Sequence, residues 1–386
     1  MQALRLSILL IALNSALIAT AASAAPQPQA IPIPSPPALG ADSYILMDYN
    51  SKQVLVDDNA EKRHDPASLT KMMTAYVVFS ELKSKHIALD DLVTVSARAW
   101  REPGSRMFIE VGNKVPVKAL IQGMIVQSGN DASVALAEHV AGNESTFAQV
   151  MNQYAKALGM THTHYVNATG LPDPKHYTTA HDTAILARAL IRDFPEYHHF
   201  FAEKEFTYNG IEQYNRNKLL WRDPSVDGLK TGHTEEAGYC LASSAERNGM
   251  RLISVVMGAG SDEARLSDSQ ALLNYGFRFF KTHRLYQAGQ ALTKARVWKG
   301  SVKMLPLGLS HDLFVTIPQH QYENLKASMN VDKLLTAPVE RGKQYGTVVV
   351  QLNGKTLSSQ PLVALEGVPE GNIWQRLTDE ALLMLK

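Results

Sequence analysis

The chain has 386 residues, a formal net charge of +1 and an apolar fraction of 45%. That length suffices for one large and one smaller domain with real cores. Near-neutrality without a Lys/Arg run excludes a nucleic-acid footprint, and the single cysteine, Cys240, excludes an intramolecular disulfide.

Residues 1–24 combine Arg5, an apolar stretch from Leu6 to Ile18 and the small-residue site Ala22-Ser23-Ala24. This is the layout of a secretory signal peptide cut after Ala24. An uncleaved anchor is the other reading, but Asn14 and Ser15 interrupt a run that is short for a membrane span. Residues 25–39 are a proline-rich linker, expected to be extended and without a core.

From residue 40 to 285 the pattern predicts a single α+β domain with an antiparallel sheet. Strand-like runs flank Tyr49-Asn50-Ser51 as a hairpin, and helical patterns follow from about Pro66 to Leu190. A second hairpin turns at Asn248-Gly249, a type I′ signal. Residues 286–369 carry short β-rich runs such as "LFVTIP" and "GTVVVQLNGKTL" and predict a small all-β domain. Residues 370–386 return to helical spacing.

Three short patterns carry chemistry. Ser68-Leu69-Thr70-Lys71 follows Asp65-Pro66, so Ser68 falls in a first helical turn with unpaired N–H groups. The apolar residues after it predict a buried helix, which would strip water from Lys71 and favour its neutral form. A neutral amine one turn from a hydroxyl can take its proton. Alone, the segment fits a surface lysine equally well. A second copy, Ser80-Glu81-Leu82-Lys83, sits among charges and reads as a solvated helix end. Ser128-Gly129-Asn130 falls at a helix junction, where simple capping competes with a proton relay and an amide that holds a peptide carbonyl. Lys230-Thr231-Gly232 precedes the second hairpin, where glycine would let a substrate backbone approach.

In this order the three patterns form the set shared by penicillin-binding proteins and serine β-lactamases. The chain resembles the low-molecular-mass penicillin-binding proteins that are D-alanyl-D-alanine carboxypeptidases. The likeness extends through "NATGLPDPKHYTTAHD", "NRNKLLW" and "LLNYGFRFF". It implies that residues 40–285 are a penicillin-binding D,D-peptidase domain, followed by the β domain and an amphipathic tail. It further implies that Ser68 attacks the D-Ala–D-Ala carbonyl of a peptidoglycan pentapeptide, with Lys71 as base. Ser128 and Lys230 would pass the proton to departing D-alanine, and Asn130 would orient the substrate amide. The N–H groups of Ser68 and His233 would form the oxyanion hole. Thr231, beside Gly232, and Arg265 would hold the terminal carboxylate. β-Lactams would acylate the same serine, and the enzyme would work without a cofactor on the periplasmic face of the inner membrane.

Rival readings are a class A β-lactamase, a D,D-endopeptidase of the same fold and a non-catalytic wall-binding or β-lactam-sensing module. The middle pattern reads Ser-Gly-Asn rather than Ser-Asp-Asn, and no obvious deacylating glutamate follows, which argues against the lactamase. His162, His164, His198 and His199 lack metal-ligand spacing and read as loop or surface residues. Cys240 reads as a buried small hydrophobe. In the tail, Ile373, Trp374, Leu377, Ala381, Met384 and Leu385 form one stripe opposite Gln375, Arg376, Asp379 and Lys386. Residues 371–386 would therefore lie on a membrane surface, dock on the β domain or sit in a dimer interface.

Overall fold

The computed structural model describes residues 33–385. The expected signal peptide, the linker up to Pro32 and Lys386 lie outside them. Strand Ser43–Asp48 is buried along its whole length because both of its faces are covered. Tyr44 and Leu46 enter one apolar cluster, while Ile45 and Met47 enter another, as a period of two requires. Five antiparallel strands run in the order Val54–Asp58, Ser43–Asp48, Met250–Ala259, Gly238–Arg247, Val226–Thr234. Val226–Thr234 is thus an edge strand. Both expected hairpins are present, and the second turns on Asn248 and Gly249 at φ 52° and 75°, the left-handed pair that a type I′ turn needs.

Helix Asp262–Phe279 covers one face through Leu266, Leu272 and Leu273. Gly276 lies against the sheet, where a Cβ would fall 2.5 Å from Leu252. The opposite cluster is built around helix Thr70–Lys83, in which every residue from Thr70 to Phe79 is buried. Helices Val117–Val126, Asn130–Ala141, Glu144–Leu158 and Ala180–Asp193 surround it. The helical stretch is less continuous than its pattern suggests. Leu92–Thr94 and Lys114–Pro116 form a small antiparallel pair, too short for an alternating pattern to show.

Two expectations change. The described part of the linker, residues 33–39, has no regular structure, yet Ile33 and Leu39 pack on the core and Tyr275 donates to the Pro34 carbonyl at 3.0 Å. The switch to β structure comes at Phe280, ahead of residue 286, because Phe280–Tyr286 leaves the long helix to pair with Leu313–Pro318. A six-stranded sheet completes this region around Val297, Leu305, Val348 and Leu362. Fully buried Asp48 joins the two-stranded Phe280–Tyr286 and Leu313–Pro318 pair to the first sheet. Its carboxylate accepts from Ser51 N at 2.7 Å and from Thr282 Oγ1 at 2.6 Å.

The terminal helix, Ile373–Met384, starts with a capping box between Asn372 and Gln375. Asp379, 6% exposed, accepts from Arg296 at 3.0 Å and from Lys299 N at 2.7 Å, and Glu380 pairs with Lys299 Nζ. Leu383, one turn beyond Asp379, is half-buried. The helix therefore docks by its acidic face, while Trp374 at 75% and Met384 at 81% exposure stand in solvent.

Candidate active site

Ser68 lies in a 3₁₀ turn, Ala67–Leu69, that leads directly into helix Thr70–Lys83. Three residues later, one helical turn on, Lys71 projects from the same face. Its Nζ is 2.9 Å from Ser68 Oγ, 2.7 Å from Asn130 Oδ1 and 2.6 Å from the Thr169 carbonyl oxygen. Asn130 Nδ2 donates to the Pro103 carbonyl at 2.6 Å, which fixes the orientation of the amide. Lys71 is fully buried, and its pKa falls from 10.5 to about 7. Burial is the main cause, followed by the charge of Arg216; Asp131 and Glu102 oppose the shift. A neutral amine has two N–H donors and one lone pair. With the donors on Asn130 and Thr169, the lone pair is directed at Ser68 Oγ.

The edge strand Val226–Thr234 passes alongside this turn. A Cβ on Gly232 would lie 3.0 Å from the Pro66 carbonyl oxygen and 3.2 Å from Ala67 Cβ. The glycine is needed for the nucleophile turn to approach the strand, rather than only for a substrate to do so. Gly170 serves from the other side, where a Cβ would fall 1.7 Å from the Ala67 carbonyl oxygen. Ser128 adopts φ 64° just before helix Asn130–Ala141, a left-handed conformation that non-glycine residues adopt at a cost. Its buried Oγ has no hydrogen-bond partner among the described residues.

Ser68, Ser105, Ser128, Arg216, Thr231, Gly232, His233 and Arg265 line a cavity of about 140 Å³. Lys230 is 2% exposed, and its Nζ donates to the Thr231 carbonyl at 3.1 Å. Burial holds its pKa well below the usual lysine value, with Lys71, Arg216 and Arg265 adding repulsion. Arg265 is buried and donates to the Gly232 carbonyl at 2.9 Å and to Asp262 at 2.5 Å, while its Nε has no hydrogen-bond partner among the described residues. Exposed His233 stacks on Tyr239, with ring centroids 4.0 Å apart.

All nine residues singled out from the sequence therefore meet at one place. The capping reading of this junction does not hold for Asn130. Asn130 makes no cap; Asp131 accepts the first-turn N–H of Ala132 at 2.9 Å, but also those of Met107, Phe108 and Ile109. Sequence reasoning missed Arg216, Ser105 and the Thr169 carbonyl. Arg216 is an isolated arginine between two asparagines and carries no pattern, and a carbonyl has no sequence signature. Ser80 bonds Tyr154 at 2.6 Å, and exposed Lys83 donates to the Asp193 carbonyl at 2.7 Å, so the second Ser-x-x-Lys is a helix end. Cys240 is buried in its strand, which pushes its thiol up to about 11. Among the described residues no His/Cys/Asp/Glu group is placed to hold a metal; His162 and His181 flank Glu61.

The profile of D-alanyl-D-alanine carboxypeptidases matches residues 31–261, and that of the penicillin-binding protein 5 C-terminal domain matches residues 280–370. This chain belongs to the D-alanyl-D-alanine carboxypeptidase family. It is 44% identical over 360 residues to the carboxypeptidase DacA of Escherichia coli K12, spanning 91% of this chain and 89% of that protein. It is 46% identical over 355 residues to DacC of the same organism, spanning 90% and 89%. Penicillin binding protein 5 from Haemophilus influenzae superposes with a TM-score of 0.84 at 44% identity, covering 87% of this chain and 99% of that one. Penicillin-Binding Protein D2 from Listeria monocytogenes, solved with ampicillin bound, gives 0.58 at 32% identity over 62% of this chain and 98% of its own. This carboxypeptidase thus has the fold of the penicillin-binding protein 5 group, with the C-terminal β domain that the sequence pattern anticipated.

Proposed function

We propose that this carboxypeptidase removes the terminal D-alanine of peptidoglycan pentapeptide stems through an acyl-enzyme on Ser68. The observation that carries this reading is the amine of Lys71, buried, held by two acceptors and 2.9 Å from Ser68 Oγ. Ser68 Oγ attacks the D-Ala–D-Ala carbonyl as Lys71 takes its proton. The backbone N–H groups of Ser68 and His233 hold the oxyanion; donors in that role are commonly worth ~10²–10³ in rate. Thr231 and Arg265 bind the substrate carboxylate. The proton reaches the leaving amine by way of Ser128 and Lys230, which suits a Ser128 hydroxyl free of other partners. Water then hydrolyses the Ser68 ester and restores the enzyme. Asn130 retains one Nδ2 hydrogen for the substrate amide.

β-Lactams acylate Ser68 in the same way, since a strained lactam and a carboxylate imitate the D-Ala–D-Ala end. Intact mass after penicillin exposure, with the adduct mapped, tests this. One acyl group on Ser68 is expected, and Ser68→Ala should abolish both adduct and D-alanine release. An adduct on Ser80 would overturn the assignment.

The working location follows from the two chain ends. Residues 1–24 act as a signal peptide that exports the enzyme to the periplasm. No helix among the described residues is long and apolar enough to cross a membrane. The terminal helix, with Ile373, Trp374, Leu377 and Met384 exposed, lies instead on the inner-membrane surface with Trp374 near the headgroups. Its acids do not oppose this, because Asp379 and Glu380 are occupied by Arg296 and Lys299.

A further inference from the structure

The two fixed acceptors of Lys71 belong to segments far apart in sequence. Asn130 is held by residues 103–105, through Asn130 Nδ2 to the Pro103 carbonyl at 2.6 Å and Asn130 N to the Ser105 carbonyl at 2.7 Å. Thr169 sits in a loop whose preceding residue, Ala168, donates its N–H to Glu144 Oε1 at 3.0 Å. One side chain joins these two supports. Arg98, on the short helix Ala97–Arg101, forms an ion pair with Glu102 Oε2 at 2.9 Å and with Glu144 Oε2 at 2.5 Å. Glu102 is the residue immediately before Pro103, and Glu144 is the residue that grips Ala168.

From this geometry we infer that Arg98 is a positioning residue for the Ser68–Lys71 pair: it fixes the separation of the two segments that hold the Lys71 amine. The inference rests on the reading of Lys71 as base. Arg98 does not line the catalytic cavity, so it acts on the amine and not on bound substrate. Both carboxylates are withdrawn from solvent, at 4% and 12% side-chain exposure. Without the guanidinium, two like charges would face each other, and the 102–105 and 166–169 segments would separate. A displacement of ~1 Å at a base can cost up to about 10²-fold in rate. Because the loss falls on proton abstraction, kcat should fall while KM holds.

The test uses the full-length enzyme and a D-Ala–D-Ala peptide. Arg98→Ala should lower kcat about 10-fold, leave KM within about 2-fold and melt as a folded protein. Arg98→Lys, which restores the charge with a shorter reach, should recover part of the loss. Arg101→Ala, on the same helix and exposed, should leave both constants unchanged. Should Arg98→Ala fail to fold, Glu102→Gln breaks one arm of the bridge and should show the same kcat loss. Unchanged kcat in the folded variant, a parallel rise in KM, or an equal loss in Arg101→Ala would overturn the inference. If wild-type enzyme takes no penicillin on Ser68, the base reading and this inference fall together. If wild-type is labelled and Arg98→Ala matches it in kcat, only this inference falls.

Discussion

Lys71→Arg separates charge from basicity, because a guanidinium stays protonated at any working pH. The variant should fold and lose penicillin acylation, as read by intact mass. In wild-type enzyme, burial lowers the lysine pKa to about 7. The active form is the neutral one, so acylation should be near its plateau above that value and fall tenfold per pH unit well below it. A rate that stays flat from pH 8 down to about pH 5 would contradict this. Arg265→Ala should weaken turnover of D-Ala–D-Ala peptides much more than of an analogue lacking the terminal carboxylate. Equal losses on both would mean that Arg265 only braces Gly232 and Cys240, whose carbonyls it already contacts. Gly232→Ala should slow acylation at least ~10-fold while costing about 1–3 kcal/mol by overpacking, because the new methyl group meets the Pro66 carbonyl at 3.0 Å. Stopped-flow acylation and thermal melts check the two parts. The Lys-Thr-Gly pattern marked this glycine, but its neighbour comes from 166 positions earlier in the chain, and no local pattern reports so distant a contact.

Among the elements, helix Thr70–Lys83 was the most legible, since a largely apolar run with a proline start has few alternatives. The hairpin at Asn248-Gly249 was equally clear. Its counterpart at Asn353-Gly354, with φ 50° and 83° between Gln344–Leu352 and Lys355–Ala364, carries the same signal inside a longer β-rich run. The terminal helix was legible as amphipathic, but not in how it docks. Asp379 reads from sequence as a surface charge and proves to be nearly buried against Arg296 and Lys299. Asp379→Ala should free the helix from the β domain, seen as faster hydrogen exchange over residues 373–384, with turnover of soluble peptides unchanged. Removing residues 371–386 should release active enzyme from membranes into the soluble fraction. Retention on membranes, or unfolding, would contradict the proposed anchor.

At the scale of the whole molecule, the order of elements made the α+β domain and the β-rich region readable, whereas their junction was not. It depends on Asp48, Ser51, Thr282 and Thr316, polar residues from three separate stretches, with Ser51 and Thr316 hydroxyls 2.6 Å apart. Asp48→Ala leaves buried donors unpaired and should cost roughly 1–3 kcal/mol. Calorimetry should then show the α+β and β-rich regions melting further apart than in the wild-type protein. The β region is tied by buried carboxylates at both ends. With Asp48 at one end and Asp379 at the other, an enzyme whose terminal helix rests on a membrane as proposed would be a strut rather than a tethered float. Ser68 would patrol a layer of cell wall at one fixed height, and stems nearer or farther than that standoff would keep their last D-alanine.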